Sequence, residues 1–243
     1  MQVHPSFSVF YTRSRAHCLL RRMVGMCTLG LLASGVRAQE MVDGPSTIWL
    51  VGPGATLPLT SQVGLQAYGF GVLGDLHGAA TVVSLRVQLS RYVIVTPGYF
   101  GGFLPRRADG VQPRDNRARL AVTLTLPLPG LYISDRNLIE RRFQEATVTT
   151  RYRNLLRLED TVRLGPLHFT VYAADEFFYD GRLQRWTLNQ AYLGLTYPFA
   201  RRYTGEVLYG RQLSPRAPGT NLFQLAYSVR FNQLRFSSTR PAK

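Results

Sequence analysis

The 243-residue chain is short of cysteine, lysine, histidine and long apolar runs, and each shortage closes off a class of protein. Its two cysteines, Cys18 and Cys27, both lie in the first 38 residues. A chain cut after that point has no thiol for disulfides, redox chemistry or thiolate ligation. Beyond residue 38 the histidines are His77 and His168, far apart in sequence. They give no metal-ligand spacing, so the sequence predicts neither a metal nor another cofactor. Among 29 basic side chains there is a single lysine, Lys243. The arginines are scattered one or two at a time rather than gathered into a patch or tail, which argues against a nucleic-acid partner. No run of about 20 apolar residues follows the N-terminal region, so any membrane-crossing part has to be built from strands.

What the chain does have begins with an address. The first 38 residues carry Arg13, Arg15, Arg21, Arg22 and Arg37 and no acid, leaving 24 basic against 14 acidic side chains in the remainder. Arg21-Arg22 form a basic start, Met23–Ala33 an apolar stretch, and Ser34 to Ala38 a run ending in the small-residue pattern Val36-Arg37-Ala38. That order is the grammar of a cleavable signal peptide, cut before Gln39. The apolar stretch is too short to span a bilayer as a helix. Met26 before Cys27 is too bulky for a lipoprotein site. A start at Met23 and a short buried helix of a cytosolic protein are the competing readings. The predicted organisation is a signal peptide over 1–38, a barrel domain over 39–231 and a tail over 232–243.

After Gln39 the sequence repeats a period-2 pattern over about ten residues, which predicts strands. In Arg117–Leu126, Leu120, Val122, Leu124 and Leu126 alternate with Arg119, Ala121, Thr123 and Thr125. Thr81–Ser90, Leu167–Glu176, Trp186–Phe199 and Leu222–Phe231 behave in the same way. Turn signals at Pro53-Gly54, Gly74-Asp75, Pro127–Gly130, Gly165-Pro166, Asp180-Gly181 and Pro215–Gly219 separate the runs. The longest polar connections, Pro105–Asn116 and Ser214–Asn221, read as loops. The expected fold is all-β, a single antiparallel up-and-down barrel of the transmembrane type with about 10–12 strands, an even number. Strand length, aromatics at the ends of apolar faces and arginines in the middle of polar faces favour a bacterial outer-membrane barrel. A soluble ligand-binding barrel of the lipocalin type, with aliphatic faces inward and arginines exposed, is the rival architecture.

Two segments carry a resemblance. Gln224–Phe231 (QLAYSVRF) is similar to the terminal β-signal read by barrel-assembly machinery, with Ala226 in place of the usual glycine and a tail after it. Trp49, Asp135–Glu159, Ala174–Asp180 (ADEFFYD), Trp186–Phe199 and the closing Asn221–Phe231 run together resemble the domain of unknown function 2490 family. The resemblance spans Ile48 to Phe231. It implies a bacterial outer-membrane barrel with membrane lipids and the assembly machinery as partners, and no particular activity.

The distinctive polar set is Arg136, Glu140, Arg142, Arg151, Arg153, Arg157, Glu159, Asp175, Glu176 and Glu206. Arg151, Arg153, Arg157 and Glu159 share strand parity, and with Arg119 and Glu176 they are expected to form a charge ladder on the lumen wall. Such a ladder either fills the barrel and satisfies itself or lines a passage for a small anionic solute, since guanidinium forks bind carboxylate and phosphate. A lipid-modifying enzyme would need an activated nucleophile. His168, with Asp175 and Glu176 further along, is the best candidate for its base, but no serine has a nucleophile's setting. The expectation is therefore a non-enzymatic barrel. Trp49, Trp186, Tyr92, Tyr99, Tyr197 and Tyr209 are candidates for an interfacial aromatic belt.

Overall fold

The computed structural model describes residues 46–73, 78–103, 113–144, 147–215 and 217–233. The expected signal peptide over 1–38 and its expected cleavage point, Gly74-Asp75, His77 and the residues after 233 lie outside the described residues. Alternation produces eleven strands among them: β1 (Ser46–Pro58), β2 (Val63–Leu73), β3 (Gly78–Gln88), β4 (Val93–Phe103), β5 (Arg114–Leu128), β6 (Leu131–Gln144), β7 (Thr147–Leu164), β8 (Leu167–Asp180), β9 (Arg185–Ala200), β10 (Tyr203–Ser214) and β11 (Ala217–Arg230). Each pairs with the next, and β1 closes on β11 to complete a barrel. No described helix is long and apolar enough to cross a membrane.

Consecutive pairs are antiparallel, but the closing pair is parallel, from Ser46 opposite Thr220 to Thr56 opposite Arg230. The even count is thus corrected to an odd one. Up-and-down neighbours alternate in direction, so an odd count leaves the first and last strands pointing the same way. Two expected loops are corrected as well. Arg114–Asn116 begin β5, and β10 and β11 run to Ser214 and from Ala217, leaving little of the expected Ser214–Asn221 connection. Nor is Pro53-Gly54 a turn. It lies inside β1, where the ladder to β2 steps from Val51–Gly71 to Gly54–Tyr68, and a proline without an N–H fits such a gap.

Two of the two-residue hairpins turn on a glycine with positive φ. Gly130 (φ +70°) follows Pro129, the residue order of a type II turn, and Gly165 (φ +59°) precedes Pro166, the order of type II′. The β8–β9 turn is held by the Asp180 carboxylate, whose Oδ1 accepts from the N–H groups of Arg182 and Leu183 at 2.9 and 3.0 Å.

Pleating sorts the side chains by parity, and the sorting decides the character of each face. Leu120, Val122, Leu124, Leu126, Leu193, Leu195, Val207 and Leu225 are exposed on the outer wall, while Val229 is half-buried. Arg117, Arg119, Glu140 and Glu176 occupy the opposite parity and are covered. This is the reverse of the lipocalin arrangement. Trp49, Trp186, Tyr92, Tyr99 and Tyr209 are exposed, with Tyr197 half-buried. Trp49 stacks on Phe223 at 4.6 Å between ring centroids, and Trp186 meets Tyr152, Phe177 and Tyr179 edge-on. Around the outer wall of β6–β9 the apolar belt is broken by a polar row whose members bond to one another. Asp135 accepts from Asn154 (2.6 Å) and Asn137 (3.1 Å), and Asp175 from Asn189 (2.6 Å).

Inside, three tyrosines each lie against a glycine of a neighbouring strand. The Tyr172 ring fills the space a Cβ of Gly194 would take, and the Tyr192 and Tyr68 rings come within 2.8 Å of where the Cβ atoms of Gly210 and Gly54 would stand. Bare backbone there lets a large ring lie along the wall instead of crossing the lumen.

Candidate functional site

The inner wall of β5–β8 is a network of carboxylates and guanidinium groups. Glu140 on β6 has no exposed surface and stands among four arginines. Arg151 Nη2 is 2.5 Å from Oε2, Arg119 Nε and Arg153 Nη1 are each 3.2 Å from Oε1, and Arg117 Nη1 is 3.6 Å from Oε2. Asp115 on β5, equally buried, accepts from Arg117 (2.5 Å) and from Arg142 across the β5–β6 ladder (2.8 Å). Glu176 on β8 takes a two-pronged contact from Arg153 (3.0 and 2.8 Å) and a third bond from Arg136 (2.8 Å). Arg117 and Arg153 therefore each bridge two carboxylates, which ties Asp115, Glu140 and Glu176 into one system. Buried charges are tolerated only when paired in this way.

Aromatic rings supply the rest of the packing. Arg117 lies over Phe100 at 4.1 Å, Arg153 over Phe178 at 4.5 Å, and Arg157 over Tyr172 at 3.6 Å. A guanidinium seated on a ring face keeps its edge free for carboxylates.

The network is cationic overall. Six arginines (117, 119, 136, 142, 151, 153) meet three carboxylates (115, 140, 176), an excess of 6 − 3 = 3 positive charges. The Nε groups of Arg119, Arg136 and Arg142 are buried without a hydrogen-bond partner. For Arg119 this holds although Glu140 is 3.2 Å away, because its N–H is not aimed along that line.

Of the predicted ladder, Arg119, Arg151, Arg153 and Glu176 come together in this network. Arg157 and Glu159 form a separate pair, 2.9 Å apart on β7. Of the wider polar set, Arg136, Glu140 and Arg142 join the network, and Glu206 faces the lumen elsewhere. Asp175 does not, because it neighbours Glu176 on one strand and projects from the outer wall. His168 is exposed beside the β7–β8 turn and Asp175 is on the other face, so the grouping considered for a catalytic His168 is not assembled. No group of three or more described His, Cys, Asp or Glu residues is placed to hold a metal ion.

Asp115 escaped the sequence reading because it fell in a segment read as a loop. Its parity with Arg117 and Arg119 was the available signal. Alternation puts Tyr172 and Tyr192 on the polar face, but their contacts with Glu206 and Glu176 are set by cross-strand register and carry no signal in the sequence.

The other half of the lumen, along β1, β2 and β9–β11, is open. One cavity of about 270 Å³ is lined by Ile48, Leu50, Val72, Leu208 and Leu222, with Gln190, Tyr192 and Gln224. A second, of about 210 Å³, shares Gln224 and is lined by Gly52, Gly54, Tyr68, Phe70, Thr196, Thr204, Glu206 and Ser228 among others. No arginine lines either one. Tyr192 stands between the halves: it borders the aliphatic cavity, and its hydroxyl is 3.4 Å from Glu176 Oε2.

No curated protein and no solved structure matches the chain significantly. A family model does: the one described as "Protein of unknown function (DUF2490)" matches residues 63–223, well over half of the 243 residues, from the start of β2 into β11. The chain belongs to that family.

Proposed function

We propose that this chain is a non-enzymatic barrel of the bacterial outer membrane, exported by its N-terminal signal and assembled with β11 as the recognition strand. The observation that carries the proposal is the inversion of the two faces. Leucines and valines ring the outside while arginines and carboxylates fill the inside. A protein in water forgoes about 1.5–3 kcal/mol for each large aliphatic side chain it leaves exposed, and contiguous apolar patches beyond a few hundred Å² mark an interaction surface. Lipid removes that penalty and closure leaves no unpaired edge.

Within that setting the charged network acts as a structural filling. Its carboxylates are matched, and its arginines are locked to them, to aromatic rings and to each other's partners. A role as a freely diffusing pore is therefore not the main reading. The excess of three positive charges favours a second one, in which a small anionic solute is held or passed along the lumen.

Refolding into lipid vesicles, followed by planar-bilayer recording, tests both readings. The expected result is insertion with mobility on gels that changes on heating, and little steady conductance. A chain that folds and stays monodisperse in water without detergent overturns the membrane assignment. A steady anion-selective current, reduced by Arg151→Gln and Arg153→Gln, replaces the structural reading with the transport one.

A further inference from the structure

We propose that the open half of the lumen is a binding site for an organic cation with an aliphatic body, such as a primary alkylamine. Three observations meet there, and none depends on the medium around the barrel.

The first is an unmatched charge. Asp115, Glu140, Glu176 and Glu159 each have an arginine within 3 Å or less. Glu206 is the exception among the described carboxylates of the inner wall, apart from Asp180, which serves the β8–β9 turn. Its Oε1 accepts from the Tyr172 hydroxyl at 2.6 Å, and no described arginine pairs with it. Tyr172 is already engaged beneath Arg157, whose own partner is Glu159. Among the described residues one carboxylate oxygen, Oε2, thus remains able to accept from a guest, while Asp115, Glu140, Glu159 and Glu176 each hold an arginine.

The second observation is the surroundings of that carboxylate. Glu206 lines the smaller cavity with Gln224, Ser228, Thr196 and Thr204, all able to accept from an ammonium group's three N–H donors. Tyr68 and Phe70 present aromatic rings to the same space, which attracts a cation further. Gly52 and Gly54 make room on the β1 wall. A Cβ on Gly52 would collide with the Gly69 carbonyl oxygen, and one on Gly54 would press on the Tyr68 ring. An anion would find hydroxyl and amide donors here, but no guanidinium lines the cavity and the Glu206 charge opposes it.

The third is the direction in which the space continues. Past Gln224 the wall changes to Ile48, Leu50, Val72, Leu208 and Leu222, an aliphatic sleeve that water fills poorly. A guest with its charge at Glu206 and an alkyl chain running past Gln224 satisfies both parts. A small hydrophilic cation leaves the sleeve empty, and an uncharged alkane leaves Glu206 unmatched.

Titration of the full folded chain, held in a nonionic detergent or a lipid nanodisc, with n-hexylammonium is the test. Hexanoate, hexanol and methylammonium are titrated in parallel by calorimetry. Saturable 1:1 binding of hexylammonium is expected, with hexanoate not binding and methylammonium and hexanol much weaker. Glu206→Gln keeps an acceptor for Tyr172 and removes the charge, so hexylammonium affinity should fall by about thirtyfold or more. Val72→Phe narrows the sleeve and should weaken hexylammonium while leaving methylammonium unchanged. No saturable hexylammonium binding to the unaltered chain, or hexanoate binding as tightly, overturns the proposal even if neither variant folds. Unchanged affinity in a folded Glu206→Gln barrel overturns it as well.

Discussion

Replacing Glu140 by glutamine isolates what the charge network contributes to stability. The side chain keeps its volume and loses its charge. Glu140 is completely covered and has four guanidinium groups within 3.6 Å. Removing one partner of a buried ion pair costs about 3–5 kcal/mol, because the other charge stays buried without compensation. Two of the four arginines are insured: Arg117 keeps Asp115, and Arg153 keeps Glu176. Arg119 and Arg151 pair with Glu140 alone among the described residues, and their side chains are only about one-sixth exposed. The glutamine carbonyl can still accept one bond from Arg151. The loss should therefore sit near the lower end, about 3 kcal/mol. Reversible urea unfolding of the vesicle-embedded barrel, followed by tryptophan fluorescence, measures it. Glu159→Gln is the internal control. Glu159 is one-quarter exposed and has one partner, so its loss should stay within about 1 kcal/mol. Adding Arg151→Gln to Glu140→Gln should restore part of the loss, since it removes a stranded cation. A change in Glu140→Gln below about 0.5 kcal/mol, no larger than in the control, refutes the idea that this carboxylate organises the half-lumen.

Gly194→Val should push the Tyr172 ring off the β9 wall, break its bond to Glu206 and cost about 1–3 kcal/mol; a melting point equal to the parent's counts against this tyrosine–glycine packing. Folding kinetics should separate the two halves of the barrel. Glu140→Gln should chiefly slow folding and Leu222→Ala at the seam chiefly speed unfolding, and the reverse partition in stopped-flow chevrons would show that the seam forms first.

Much of the fold was legible because a strand exposes its parity in its sequence. Leu120, Val122, Leu124 and Leu126 against Arg119, Ala121, Thr123 and Thr125 assign two faces to β5 with no knowledge of its neighbours. The odd closure was not legible. Strand number depends on whether segments such as Pro53-Gly54 break the chain, and local turn chemistry misreads that one, whereas at Ser214–Asn221 it finds the break and overstates its length. Gly52 and Gly54 are permitted in β1 by close approach to the β2 backbone and to Tyr68, a tertiary reason. The site was half legible. Parity brought Arg119, Arg151, Arg153 and Glu176 to one wall, but which carboxylate each arginine meets is set by cross-strand register. Arg153 faces Phe178, yet it reaches the diagonal carboxylates of Glu140 and Glu176. The isolation of Glu206 is invisible from sequence for the same reason, since it consists in what does not lie opposite.

The division of the lumen follows from the order in which strands meet. Every ion pair of the network joins residues of β5–β8, and the separations are modest: Glu140 and Arg151 are eleven residues apart, Asp115 and Arg142 twenty-seven, Arg136 and Glu176 forty. Hairpins bring these together before the barrel closes, so no buried charge waits for a distant partner. The seam is different. Ile48 meets Leu222 only when the ends of the barrel join. A charge placed there would stay unmatched in every partly formed state. Its inner positions are instead Ile48, Leu50, Gly52 and Gly54 on β1 and Leu222, Gln224, Ala226 and Ser228 on β11, which need no specific ionic partner. Small and aliphatic side chains at the seam also fail to fill the lumen, which is why the cavities lie there. The same constraint that puts the charges on β5–β8 leaves a pocket beside the parallel seam, with Glu206 on the next strand as its one anionic anchor.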